Sequence, residues 1–212
     1  MMAGTQILCF KQVTPTCFFL SFPAIDSMVY CILDYWKSYE ETEAKQMTIR
    51  HAMPEEYLQV LDFYYSVSEA MAACPNRPTW RRGIYPVVDD LIGDLFIAVQ
   101  ENEGIIGAVL VNSQQGNGYD TCEWALKTDK VAVIHLLAVS PKHQGKGIAW
   151  KLLTNARDSV HDWAEVIRLD TLVNNTPAKR LYEGFGFHKA GDMEVEYESV
   201  GIKKFTLYEY VF

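Results

Sequence analysis

The chain has 212 residues, of which 49% are hydrophobic and 22% charged, and its formal net charge is −8. That size and composition fit one domain with a buried core and room for a terminal appendage, and they exclude wholesale disorder. The acidic balance excludes a protein that wraps nucleic acid, because phosphate contacts call for an excess of Lys and Arg; a locally basic pocket stays open.

The segment before Met47 is the least regular part. Cys9, Cys17, Cys31, Cys74 and Cys122 are odd in number, scattered and never spaced Cys-x-x-Cys. This argues against a disulfide framework or a zinc site and for a reducing, cytoplasmic setting. Residues 1–35 are fairly apolar, but Lys11, Pro15, Pro23 and Asp26 interrupt every run before it reaches the roughly 18–20 residues that span a bilayer, so no membrane segment is expected. No basic start followed by an unbroken apolar stretch marks a secretory signal. The polar run from Lys37 to Gln46 gives way near Met47 to a regular pattern. We therefore expect an N-terminal extension at 1–46, poorly ordered or not native, and a domain at 47–212. A docked helix through Met28 to Trp36 is the competing reading.

From Thr48 to Ala52 the letters predict a short strand. Pro54 then suits a first helical turn, and Tyr57, Val60, Leu61, Tyr64, Val67 and Met71 recur at helical spacing. A second helix is expected from about Val87 to Ile92. Leu95–Val99 and Ile105–Val111 read as strands joined by the turn Glu101–Gly104. Val131–Val139 is a continuous apolar run rich in β-branched residues, ended by Ser140-Pro141, and predicts a strand buried on both faces at the centre of the sheet. Ile148, Ala149, Leu152, Leu153, Ala156 and Val160 form one helical stripe. Ile167–Leu172 is another strand, Thr176–Glu183 a short helix with Pro177 in its first turn and Gly184 as its stop, and Phe185–Lys189 and Lys204–Phe212 supply two last strands. The order is that of a mixed α/β sandwich.

Gln144-Gly-Lys-Gly-Ile-Ala149 joins the buried strand to a helix. Such a junction offers unpaired backbone N–H groups and the positive end of a helix dipole, which together bind phosphate. Gly145 and Gly147 remove side chains that would block close approach, and Lys142, Lys146 and Lys151 add positive charge. On these letters alone, a tight turn without a ligand is the alternative. A P-loop would need Ser or Thr after Gly-Lys. A dinucleotide fingerprint would need Gly or Ala where Trp150 stands.

Leu137-Ala-Val-Ser-Pro141 followed by Gln144-Gly-Lys-Gly-Ile-Ala149 resembles the GNAT superfamily of acyl-CoA-dependent acetyltransferases, whose pattern of Gln or Arg, two residues, Gly, one residue, then Gly or Ala falls on Gln144, Gly147 and Ala149. A second block, Asn175-Thr-Pro-Ala178 with Leu181-Tyr-Glu-Gly-Phe-Gly-Phe187, resembles the later motif of that family at the expected distance. The resemblance covers roughly Met47 to Phe212. It implies the GNAT acyl-CoA N-acyltransferase fold, a mixed, mostly antiparallel central sheet flanked by helices, with acetyl-CoA as cosubstrate and no metal.

The resemblance also implies direct attack of a neutral amine on the acetyl thioester in a ternary complex, with no acetylated enzyme. Backbone groups of Leu137, Ala138 and Val139 would pair with the pantetheine arm, and an N–H there would stabilise the oxyanion. Amides from Gln144, Gly145, Lys146, Gly147, Ile148 and Ala149 would hold the pyrophosphate, and Asn175 would bond or orient the pantetheine. The arm would enter where a bulge splays the central strand from its neighbour. Tyr182 matches the family tyrosine and is the expected general acid toward the CoA thiolate; packing is the alternative. For the general base, His135 stands two residues before Leu137, as does a histidine in some arylalkylamine-type members, and its ordinary pKa near 6.5 suits proton transfer. A hydrogen-bonded core histidine is the alternative, and Glu123 is a second candidate if its strand enters the acceptor cleft.

Trp80, Tyr85, Tyr119, Glu123 and Trp124 are expected to shape an acceptor pocket, with surface-capping aromatics as the other reading of the rings. Arg168 and Asp170 read as a structural ion pair. The expected reaction is acetylation of a primary amine on a small molecule; protein N-terminal acetylation and a non-catalytic acyl-CoA-binding module are the alternatives. Tyr208, Tyr210 and Phe212 would either mediate a homodimer or complete the core.

Overall fold

The computed structural model describes residues 47–78, 80–197 and 201–212. The extension expected at 1–46, with its alternative helix, lies outside the described residues. Within them the strands are β1 (Met47–His51), β2 (Asp94–Gln100), β3 (Gly104–Asn112), β4 (Val131–Val139), β5 (Val166–Leu172), β6 (His188–Tyr197) and β7 (Gly201–Val211), and the α-helices are α1 (Tyr57–Ala70), α2 (Ile148–Val160) and α3 (Thr176–Phe185). They form a seven-stranded sheet in the order β1-β2-β3-β4-β5-β7-β6. Every neighbouring pair is antiparallel except β4 and β5, which run parallel. This is the mixed, mostly antiparallel sheet that the family resemblance implies.

The apolar run of β4 is buried on both faces because each face meets its own layer. Ala132, Ile134, Leu137 and Val139 join the core closed by α2, whose stripe Ile148, Leu152, Leu153, Ala156 and Val160 is buried. Val131 and Val133 face the other way, into a cluster with Tyr119, Met193 and Leu207. Leu136 and Ala138 also face that way, into a separate cluster under α1 with Val60, Tyr64 and Leu110. The second face of the sheet is thus covered by two layers, and His135 lies on the strand between them.

A bulge makes this possible. Ala108 pairs with Ala138, but Leu110 pairs with His135, so β4 carries one residue more than β3 over that span. Leu136 takes φ 53°, a left-handed conformation costing a leucine about 1–2 kcal/mol. It and His135 therefore face the same side, and the alternation resumes one step out of phase. Beyond this kink β4 and β5 part. Their pairing runs from Val131/Val166 to Val133/Arg168 and stops there.

Several element boundaries differ from the sequence reading. The helix expected over Val87–Ile92 is a single 3-10 turn at Val88–Asp90, closed by Asp90 accepting from the Val87 N–H and followed by Gly93 at φ 139°. Gly184 lies inside α3, which runs to Phe185 and stops at Gly186 with φ 110°. Phe185 belongs to that helix rather than to a strand. β7 is paired on both sides, to β5 and β6, and Tyr208 is core, so β7 offers no free edge for a dimer. No helix among the described residues is long and apolar enough to cross a membrane.

Candidate active site

The site starts at the parting of β4 and β5. From Ile134 to Val139 the edge of β4 that faces β5 has no strand partner. At the end of this edge the chain turns through Pro141–His143 into the glycine loop. Gly145 and Gly147 take φ 79° and 77°, and a Cβ placed on either would meet nothing within 4 Å. Only the backbone conformation requires glycine within the protein itself, and the space above the loop is open. The N–H groups of Gly145, Lys146, Gly147, Ile148 and Ala149 find no acceptor among the described residues, and Gly147 caps α2 without a side-chain hydrogen bond. Five unpaired donors at the start of a 13-residue helix form an anion cradle that fits a pyrophosphate. Gln144 turns away from it and donates to the Val139 carbonyl at 3.3 Å. His143 is buried beneath the loop with Nε2 3.2 Å from Glu103.

Asn175 caps α3. Its Oδ1 accepts from the Ala178 N–H at 3.4 Å and from Asn76 at 3.0 Å, and its Nδ2 donates to Thr171 at 3.1 Å. The side chain is committed to the turn, where it ties β5, α3 and the Asn76 loop together.

Tyr182 lies on the inner face of α3, 6% exposed, against Phe187 and Tyr208. Its hydroxyl makes no hydrogen bond among the described residues. Burial first, then the nearby Asp170 carboxylate, push the phenol well above its ordinary value. It stays protonated at neutral pH, as a proton donor must.

His135 donates through Nε2 to Asn112 Oδ1 at 3.1 Å and the Gln114 carbonyl at 3.0 Å. This network assigns the proton to Nε2 and leaves the Nδ1 lone pair free. Burial pulls the imidazole below its ordinary value, against the Gln114 carbonyl that raises it.

Across the split, Asp170 faces the same side as His135, which continues the register Val133/Arg168 by two residues. It accepts from the Tyr119 hydroxyl at 3.0 Å, makes no ion pair among the described residues, and is raised by burial. The ion pair expected between Arg168 and Asp170 is not formed. Arg168 instead donates to Gln115 and the Leu126 carbonyl, stacks 4.1 Å over Trp124 and lies opposite Glu209 in the ladder. Asp170 is left without a cationic partner among the described residues, a position that the sequence reading set aside. The signal was available in the alternation of β5, which puts Arg168 and Asp170 on one face.

The five residues expected around the acceptor divide. Trp80 meets Tyr64 edge-on at 5.0 Å and lines a cleft of about 700 Å3 beside Leu172 and Asn174. Tyr85 is exposed at the end of the adjoining loop. Tyr119 reaches Asp170. Trp124 is a packing residue, donating to the Tyr119 carbonyl at 2.8 Å beneath Arg168. Glu123 is exposed in a loop between Thr121 and Val131 that forms no strand, so it does not enter the cleft as expected for a base.

Comparison with known proteins agrees with this geometry. The model of the Acetyltransferase (GNAT) family matches residues 60–187. A mycothiol acetyltransferase of Brachybacterium faecium is 28% identical over 99 residues, 46% of this chain, and the chain spans only about a quarter (27%) of that relative. A GNAT-family acetyltransferase structure from Streptococcus agalactiae superposes with a TM-score of 0.62 at 20% identity, covering 78% of this chain and 95% of that one. A Salmonella typhimurium protein solved with its cofactor acetyl-CoA superposes with a TM-score of 0.54 at 20% identity, covering 78% and 94%. With the split strands, the glycine cradle and the family match over most of the folded region, this chain belongs to the GNAT family of acetyltransferases.

Proposed function

We infer that the protein transfers the acetyl group of acetyl-CoA to a primary amine of a small molecule, both substrates being bound together. The observation that carries this reading is the pairing of an open β4 edge with five unclaimed amides at its end, which matches the length and charge of a pantetheine arm ending in a pyrophosphate. Acetyl-CoA supplies an activated thioester: the amine nitrogen bonds to its carbonyl carbon, the C–S bond breaks and the thiol leaves. The chain supports this with Leu137, Ala138 and Val139 along the arm and the Gln144–Ala149 turn at the pyrophosphate. Tyr182 gives its phenolic proton to the departing sulfur, and Nδ1 of His135 takes the proton lost by the amine. His135 is held neutral by burial, so at neutral pH it is ready to accept.

The test is release of CoA thiol across a panel of small amines, set beside peptides with varied N-terminal residues. Turnover with small amines supports the reading. Turnover confined to peptides would transfer the same chemistry to protein N-termini, and tight acetyl-CoA binding with no acceptor at all would point to a non-catalytic binding module.

A further inference from the structure

The 700 Å3 cleft lies on the Asp170 side of the sheet, and its wall is unusually basic for a chain of net charge −8. Arg77, Arg81, Arg82, Lys203 and Lys204 all line it, with Glu69 as the carboxylate among them. Two of these cations are neutralised locally, Arg82 by Asp62 at 2.5 Å and Lys204 by Glu194 at 2.6 Å. Arg77, Arg81 and Lys203 have no carboxylate partner among the described residues; Arg77 only donates weakly to the Ala72 carbonyl at 3.4 Å. The floor continues into the protein along β5. Leu172 lines the cleft, and Asp170, two residues earlier on the same face, stands about 7 Å further along the strand, beyond the lining residues. The cleft thus has a cationic mouth, and beyond its floor on the same face of β5 stands the Asp170 carboxyl group, which accepts from the Tyr119 hydroxyl.

We propose that the acceptor is a small amine bearing an anionic group several bonds from its nitrogen, with the amine end directed toward Asp170 and the anion held at Arg77, Arg81 and Lys203. The proposal rests on the reading of the protein as a small-amine acetyltransferase and names the class of amine. A simple alkylamine would satisfy Asp170 but leave the mouth unpaired. An α-amino acid has its two charges too close together to reach from Asp170 past Leu172, about 7 Å along β5, to the cations of the mouth. An ω-amino carboxylate or an aminoalkyl phosphate spans the distance, and opposite charges at the two ends fix its orientation with the amine inward.

The experiment compares 6-aminohexanoate, 5-aminopentyl phosphate and hexylamine as acceptors for the full chain, with CoA thiol release as readout. The expected result is kcat/KM at least about tenfold higher for the anionic amines than for hexylamine, corresponding to one well-placed charge contact. Which of the two is faster distinguishes a carboxylate from a phosphate source. The double variant Arg77→Glu with Arg81→Glu should abolish that preference through KM while leaving hexylamine within about threefold; both side chains are exposed, so folding is retained. Asp170→Asn should instead weaken all three acceptors. Equal use of hexylamine, or a charge-reversal effect common to all acceptors, would overturn the proposal. If no amine is acetylated although acetyl-CoA binds, the small-amine reading fails separately. Titration of 6-aminohexanoate into the CoA complex of wild type and charge-reversed protein then decides the binding claim: binding lost on reversal upholds it, and no binding to wild type refutes it.

Discussion

Replacing Gly147 with alanine separates what the glycine does for the fold from what it does for the ligand. At φ 77° an alanine incurs the left-handed penalty of about 1–2 kcal/mol, and because its Cβ meets nothing within 4 Å no steric term is added. For a domain of this size that lowers Tm by about 2–8 °C. The new methyl group stands where an anion must approach the amides. Loss of one or two charge-assisted hydrogen bonds, each about 1.5–3 kcal/mol, raises the Kd of acetyl-CoA by at least about tenfold. Gly201 provides the matched control, with φ 69° and likewise nothing within 4 Å of a built Cβ, but placed at the start of β7. Gly201→Ala should show a similar drop in Tm with unchanged Kd. Calorimetric titration and thermal unfolding of both variants make the assay. If Gly147→Ala remains folded and binds acetyl-CoA as tightly as wild type, the cradle is not the pyrophosphate site and the reasoning fails.

Tyr182→Phe removes a hydroxyl with no hydrogen-bond partner among the described residues, so stability should stay within about 0.5 kcal/mol while kcat falls by about a hundredfold at unchanged acetyl-CoA affinity; steady-state kinetics with unaltered kcat would remove Tyr182 from the mechanism. His135 has its folded pKa depressed by burial, so the unfolded chain binds the proton more readily and stability rises with pH through the window from the folded value up to about 6.5. His135→Gln should flatten that part of the stability curve, and an unchanged slope in urea unfolding between pH 5 and 7 would contradict it. Glu56, held at about 2 by its two 2.7 Å contacts to Arg50, contributes stability above about pH 4.5 that is lost as pH falls toward 2. Because the pair is partly exposed its worth is at most about 1 kcal/mol, and Glu56→Gln should remove the corresponding acid-side slope in the same urea series.

Much of the site was legible because it is written in local sequence. β4 announces itself as nine consecutive apolar or β-branched positions broken only by His135, and the stripe on α2 repeats from Ile148 to Val160. The glycine turn lies between them, so its placement follows from theirs. Local letters failed where two distant segments decide the outcome. Tyr119 and Asp170 are 51 residues apart, and nothing near either one marks the contact. The cationic mouth joins Arg77 and Arg81 to Lys203 across the sheet, invisible in a chain whose overall charge is negative. At the end of α3 the sequence offered Gly184 and Gly186. Packing of Phe185 against Trp150 and Tyr210 carries the helix past the first to the second. Val87–Ile92 has helical letters, but Pro86 before it and Gly93 after it leave too few residues for more than one turn.

The bulge at Leu136 bears on how such a slot survives mutation. Nothing about leucine produces it; the side chain is a buried apolar filler, and glycine would suit its φ of 53° better. What produces the bulge is arithmetic, one residue more on β4 than on the strand it pairs with. Exchange of one amino acid for another at this position therefore trades packing against backbone comfort and leaves the gap standing. Deleting a single codon between His135 and Ala138 would put β4 back in step with β3 and remove the register shift beside which β4 and β5 part. The opening in the sheet is in this sense robust to point substitution and fragile to a change in length.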